Sequence, residues 1–111
     1  MKDIDFALAA LAEPTRREVI ELLRRKPCSA GELAQLATVS PPALSRHLRV
    51  LRTNGLIEDV RDERDGRLRI YRLRRERFAD LETWLAHMLG FWDEQMGAFK
   101  DYVEETRVQK K

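Results

Sequence analysis

Leucines 44, 48 and 51 recur at helical spacing within SPPALSRHLRVLRTNGL, residues 40–56, and define one apolar stripe. Pro42, Ser45, Arg46 and Arg49 fall on the opposite face, which carries hydrogen-bonding groups and positive charge but no acid. Ser40 is a favoured N-cap, Pro41 occupies the first helical position, where a missing N–H costs nothing, and Asn54-Gly55 closes the helix. The pattern predicts a capped amphipathic helix with an apolar back and an Arg/Ser front. That front suits the major groove of DNA.

Upstream, residues 4–12 predict a short helix with Ile4, Leu8 and Leu11 on one side. Pro14 opens a second helix whose apolar face is Val19, Ile20, Leu22 and Leu23. Arg24, Arg25 and Lys26 complement its C-terminal dipole, and Pro27 stops it. Ser29 and Glu32 have the spacing of a capping box and begin a third helix with apolar positions Leu33, Leu36 and Ala37. Only Thr38 and Val39 separate that helix from Ser40, so residues 29–54 form a helix-turn-helix.

Downstream, Ile57–Arg61 and Leu68–Leu73 have strand character and flank Arg64-Asp65-Gly66-Arg67, a hairpin signal; alternation in the first strand is imperfect. From 76 to 106 the chain contains no proline, and Phe78, Leu81, Leu85, Met88, Trp92, Met96, Phe99 and Val103 follow steps of three and four. Such a helix spans about 45 Å. The preceding residues are too few to cover so long a stripe, which includes Trp84, Phe91 and Trp92, so a second copy of the chain is the economical partner. Gly90 and Gly97, one heptad apart, allow close helix approach there, and the terminal VQKK is expected to fray.

The 111 residues predict a single domain, with no repeat, low-complexity tract or linker. Composition is that of a soluble globular protein, 43% apolar and 36% charged. No apolar run approaches membrane length, and the N-terminus lacks a basic leader region. One cysteine, Cys28, excludes an intramolecular disulfide framework and fits a reducing cytoplasm. Net charge is only +2, but its distribution is uneven. Residues 1–39 are neutral, residues 78–111 carry net −3, and residues 40–77 carry net +5 with every base an arginine. Arginine is the side chain suited to phosphate and guanine forks.

The element order is that of a winged helix-turn-helix: mostly α with a small β-hairpin, residues 57–73, as the wing. ALAEPTRREVIELL, GELA (31–34), SPPALSRHLRVLRTNGLIE (40–58) and DGR with YRL (65–73) together resemble the ArsR-type bacterial transcriptional regulators across nearly the whole chain. The resemblance implies a homodimeric repressor, paired through its N- and C-terminal helices and bound to palindromic double-stranded operator DNA. Carried over, it places Ser40, Pro42, Ser45, Arg46, His47 and Arg49 on the DNA-contacting helix and Arg64, Arg67 and Arg69 on the wing. Leu8, Leu85, Met88, Trp92, Met96 and Phe99 are the expected dimer interface.

Many members of that family sense metals. The arsenic-sensing kind carries a Cys-Val-Cys run in the recognition-side helix, and this helix has no cysteine. The zinc-sensing kind uses paired Asp/His and His/Glu positions on the terminal helix; here His87 stands alone, and Glu82 or Asp93 does not complete a site. The terminal segment looks more like the branch without a recognised metal site, so neither a metal nor a cofactor is expected, and no effector is identified. Thr38 departs from the glycine that many relatives carry in the turn, which puts the turn geometry in question.

Arg46 is the foremost candidate for base contact, because a guanidinium can fork onto guanine O6 and N7. Ser40 and Ser45 suit phosphate or backbone, and the helix N-terminus itself favours a phosphate. His47, beside the apolar stripe, suits packing or a phosphate. Arg67 is a better phosphate or minor-groove contact than Arg64, while Asp62, Glu63 and Asp65 partly cancel the wing charge. Two other readings remain open. A winged helix can serve as a protein-interaction module, although Arg46, Arg49 and Arg52 argue against it. Cys28, near a helix N-terminus, could act as a redox switch, although a small structural cysteine is the plainer reading. No nucleophile–base pairing or phosphate-cradling glycine loop suggests an enzyme.

Overall fold

A computed structural model describes residues 2–109 and places five helices and three strands in the order α1 (Lys2–Leu11), α2 (Pro14–Arg25), β1 (Cys28–Ser29), α3 (Ala30–Ala37), α4 (Pro41–Thr53), β2 (Ile57–Arg61), β3 (Arg69–Leu73) and α5 (Arg75–Gln109). They fall into two compact units, Met1–Asp80 and Leu81–Lys111.

Within the first unit, each helix starts where its sequence supplies a cap. Glu13 caps α2 by accepting the Arg16 N–H at 2.8 Å, with Pro14 following at the first position. At α3 the capping box closes both ways: Ser29 Oγ accepts the Glu32 N–H and Glu32 Oε1 accepts the Ser29 N–H, each at 3.2 Å. The Ser29 N–H holds the Glu32 carboxyl below its usual range, assisted by the Ser29 hydroxyl. Ser40 Oγ caps α4 through the Ala43 N–H at 3.3 Å. Gly55 ends it at φ 76, and an added Cβ there would meet Arg77 Cγ at 3.1 Å.

The core forms where these helices meet the sheet. Val19 of α2, Leu33 of α3, Leu44 and Leu51 of α4, and Leu56 and Ile57 at the entry to β2 are each no more than 1% exposed. The apolar stripe expected for α4 is therefore its buried face. Two expected faces are corrected. In α1 the buried side is Ile4, Ala7 and Ala10, while Leu8 points outward. In α3, Leu36 is exposed, and only Leu33 and Ala37 are buried.

The sheet is antiparallel in the order β1-β3-β2. β2 and β3 are the expected hairpin, with Ile57 opposite Leu73 and Arg61 opposite Arg69. The register brings Glu58 opposite Arg72, and their side chains pair at 2.8 Å. β3 starts at Arg69, one residue later than expected, so the wing connection is a longer loop than a tight Asp-Gly turn. β1 was not expected. It is two residues long and has no alternation to read; it forms because Cys28 and Ser29 lie against Tyr71 and Ile70 and cover the other edge of β3.

Thr38 keeps the turn geometry despite its side chain. It stands at φ 54, ψ 49, in the left-handed region, and the Val39 N–H reaches back to Ala34 O at 3.1 Å. A β-branched residue is strained there.

In the second unit α5 continues as an unbroken helix, and the full element spans about 52 Å. Val108 and Gln109 of the VQKK tail are helical; Lys110 and Lys111 lie outside the described residues. Leu85, Met88, Leu89, Phe91, Trp92, Met96, Phe99 and Tyr102 are exposed. Phe91 and Trp92 meet edge to face, with ring centroids 6.5 Å apart. Gly90 and Gly97 face open space. Among the described residues, no helix is long and apolar enough to cross a membrane.

Candidate nucleic-acid interface

Because α4 buries Leu44, Leu48 and Leu51, its opposite face is presented outward: Pro41, Pro42, Ser45, Arg46, Arg49 and Arg52 are all exposed. Ser40 is exposed as well, but its hydroxyl is engaged as the cap. Ser45, Arg49 and Arg52 border a hollow of about 210 Å³ with the N-terminal turn of α3 and Tyr71 of β3. Ala30, Gly31 and Ala34 line its α3 side with small side chains.

The wing loop is organised by its acids. Asp62 Oδ1 accepts the Arg64 N–H at 3.4 Å, and Asp65 Oδ1 accepts the Arg67 N–H at 3.0 Å. Asp and Asn side chains that bond backbone two residues on build turns of this kind. The loop closes through the Asp62 N–H to Leu68 O at 2.8 Å. The acids therefore shape the loop through its backbone rather than forming ion pairs with its arginine side chains. Among the described residues, Arg46, Arg49, Arg64 and Arg67 have no side-chain partner.

Arg69 differs from the other two wing arginines. It lies in β3 rather than in the loop, and its guanidinium pairs with Asp59 of β2. The same carboxylate accepts from Arg52 Nη1, at the end of α4, at 3.5 Å. Asp59 is 11% exposed at its side chain, so it braces α4 to both wing strands. Its bond to Arg69 holds the carboxyl below the usual range, with Arg52 adding to the effect against the opposing push of burial. Sequence reasoning missed Asp59. The strand register would have placed it diagonally across from Arg69, but Arg52 reaches it only through the tertiary fold.

His47 occupies a different setting from the rest of its set. Its side chain is 21% exposed, and Nδ1 lies 3.3 Å from Arg16 Nη1 and 3.8 Å from Glu13 Oε2. The structure thus brings together Ser45, Arg49 and Arg52 and, through Asp59, Arg69. It sets His47 against α2, and leaves Arg46, Arg64 and Arg67 without a side-chain partner among the described residues.

Cys28 does not have the setting of a redox switch. It is 1% exposed, and its Sγ–H points to Lys26 O at 3.4 Å. Burial pushes the thiol upward, and Glu32 adds to that push, whereas a sensing thiol needs access and a lowered pKa. Among the described residues, no three of His, Cys, Asp and Glu converge as metal ligands would.

Residues 13–59 match the family described as bacterial regulatory protein, arsR family. The chain is 38% identical over 100 residues to the HTH-type transcriptional regulator Rv2034 of Mycobacterium tuberculosis, covering 90% of this chain and 88% of that one. It is 29% identical over 87 residues to the transcriptional repressor SdpR of Bacillus subtilis, covering 78% and 93%. Among solved structures, an ArsR-like transcriptional regulator from Rhodococcus sp. RHA1 superposes with a TM-score of 0.75 at 30% identity, over 90% of this chain and 92% of that one. With a winged helix-turn-helix whose exposed helix carries unpaired arginines, and with relatives matched along most of its length, this chain belongs to the ArsR family of transcriptional regulators.

Proposed function

We propose that the chain is a homodimeric repressor that binds a palindromic operator and excludes polymerase from the promoter. The observation that carries this reading is the outward face of α4, where Arg46 and Arg49 are exposed and have no partner among the described residues. Arginines with no internal role, on a helix held by a leucine back, are arranged for an external anion. Arg46 forks onto a base edge. Ser40, Pro42, Ser45 and Arg49 approach the backbone, and Arg64 and Arg67 reach adjacent phosphates from the wing. Arg69 contributes less, since Asp59 already neutralises part of its charge.

The second copy is called for by apolar surface. Leu8 of α1 and Leu85, Met88, Trp92, Met96 and Phe99 of α5 are between 42% and 63% exposed, far from the near-complete burial of the core leucines. A homodimer covers both sets and presents two α4 helices about 34 Å apart on one DNA face. Repression is supported by the likeness to the transcriptional repressor SdpR, and the cytoplasm is the compartment this function requires.

Selection of bound duplexes from a random pool tests the proposal. The expected outcome is a two-fold symmetric consensus with half-sites one helical turn apart. An enriched pool without symmetry would remove the dimeric operator, and no enrichment at low salt would remove DNA binding. The latter outcome would favour the protein-interaction reading.

A further inference from the structure

The last turn of α1 carries no basic residue, so the exposed C-terminal carbonyls of that helix must be satisfied from elsewhere. Two arginines of α2 supply the donors. Arg17 Nη1 donates to Leu11 O at 2.8 Å. Arg16 does more: Nε donates to Ala10 O at 2.6 Å and Nη2 to Ala9 O at 3.5 Å, while Nη1 lies 3.3 Å from His47 Nδ1 on α4. Its backbone N–H is fixed by Glu13, whose Oε2 also lies 3.8 Å from His47 Nδ1. Burial raises the Glu13 carboxyl, but the bond from the Arg16 N–H leads the groups that outweigh it and keep it below its usual range.

One planar guanidinium therefore joins the end of α1 to the middle of α4. The fork is planar and each of its three nitrogens meets a group on α1 or α4, so a movement of the α1 end is passed toward the ring of His47. His47 is one residue from Arg46 and two from Arg49, the unpartnered arginines of the outward face.

We propose that Arg16 is a positioning residue for DNA reading, and that His47 is the point where α4 is held rather than a contact to DNA. This rests on the reading of α4 as the DNA-reading helix and of α1 as part of the dimer seam. The link then makes operator affinity depend on how the two copies meet, because α1 cannot shift without turning α4.

The test uses His47→Phe, which keeps the ring volume and removes Nδ1, alongside Arg16→Met and the conservative Arg16→Lys. Each full-length variant is titrated with the selected operator duplex and with random duplex over a salt series, and its self-association and thermal unfolding are measured in parallel. His47→Phe should lose about tenfold in operator affinity while random-duplex affinity, self-association and the salt slope stay as in the parent. Retained random-duplex binding is expected because nonspecific affinity comes from phosphate contacts that the variant keeps. Arg16→Met should show the same loss of discrimination, and Arg16→Lys should fail to rescue it, since an ammonium cannot reproduce the fork. A salt slope reduced by about one phosphate contact would make His47 a direct DNA contact and overturn the proposal. Discrimination equal to the parent in both His47→Phe and Arg16→Met would overturn it too. If the parent itself ignores every duplex, the regulator reading falls and takes this one with it; if the parent binds and the variants match it, only this one falls.

Discussion

Two helices of this chain carry apolar residues at the same spacing and treat them in opposite ways. α4 turns Leu44, Leu48 and Leu51 into the core and leaves arginine and serine outside. Beyond residue 81, α5 leaves leucine, methionine, phenylalanine and tryptophan outside. Periodicity alone therefore says that a helix has an apolar face, not what covers it. In α4 the covering is supplied within the first unit, by Leu33 of α3, Val19 of α2 and the entry to β2. In α5 the apolar residues are exposed, and in the proposed homodimer a second copy covers them.

Parallel truncations give the strongest way to break the contrast. Leu51→Ala in the core should cost about 2–5 kcal/mol of unfolding free energy. Trp92→Ala, a larger deletion, should change unfolding at low protein concentration by less than about 1 kcal/mol while weakening self-association and operator binding together. Denaturant unfolding at several protein concentrations checks both. Equal destabilisation of the dilute protein would place Trp92 in a core of the single chain.

Next in size is the exposed face of α4. Arg46→Ala should lose about 1–3 kcal/mol on the selected operator and relax preference at one base position, with unfolding changed by no more than about 0.5 kcal/mol. Selection repeated with the variant reads the preference directly. An unchanged consensus would show that Arg46 meets only the backbone.

A smaller effect comes from the brace between α4 and the wing. Asp59→Asn should cost about 1 kcal/mol at neutral pH, since its arginine partners are half exposed and solvent screens part of the attraction. The Asp59 carboxyl is depressed in the folded chain, chiefly by Arg69. Its contribution is thus complete above the unfolded carboxylate value of about 3.9 and is lost as pH falls through the folded value. Parent and variant should therefore converge in stability on acidification below pH ~4. A difference that persists at the lowest pH would mean that the asparagine disturbs packing rather than removing charge.

The smallest change is expected at the turn. Thr38→Gly relieves a left-handed β-branched residue but frees the unfolded chain, for a net gain of about 0.5 kcal/mol in denaturant unfolding. A loss of stability would show that the threonine side chain contributes something its exposed position does not reveal.

What the sequence made legible was local. Ser29 with Glu32, Ser40 with Pro41, and Asn54-Gly55 mark helix ends through bonds or conformations that span a few residues, and the structure places the ends there. The leucine back of α4 follows from its period. What escaped depended on distant partners. Leu8 and Leu36 sit at helical spacing with other apolar residues, yet face outward, while Ile4, Ala7 and Ala10 of α1 and Leu33 and Ala37 of α3 are buried. β1 exists only because the edge of β3 passes it. Asp59 and the Arg16–His47 link join residues from separate elements, and no spacing rule connects them. The thiol of Cys28 reads as activatable from its place before α3, until the fold buries it beside Glu32.

Sedimentation of the purified chain, alone and with the selected duplex, tests most directly the claim that the exposed stripe of α5 pairs two copies so that two α4 helices read one DNA face. The expected result is a dimer that migrates with the duplex at two chains per site, with Trp92→Ala lowering both states together. A chain that remains monomeric while binding the same duplex with full affinity would contradict it.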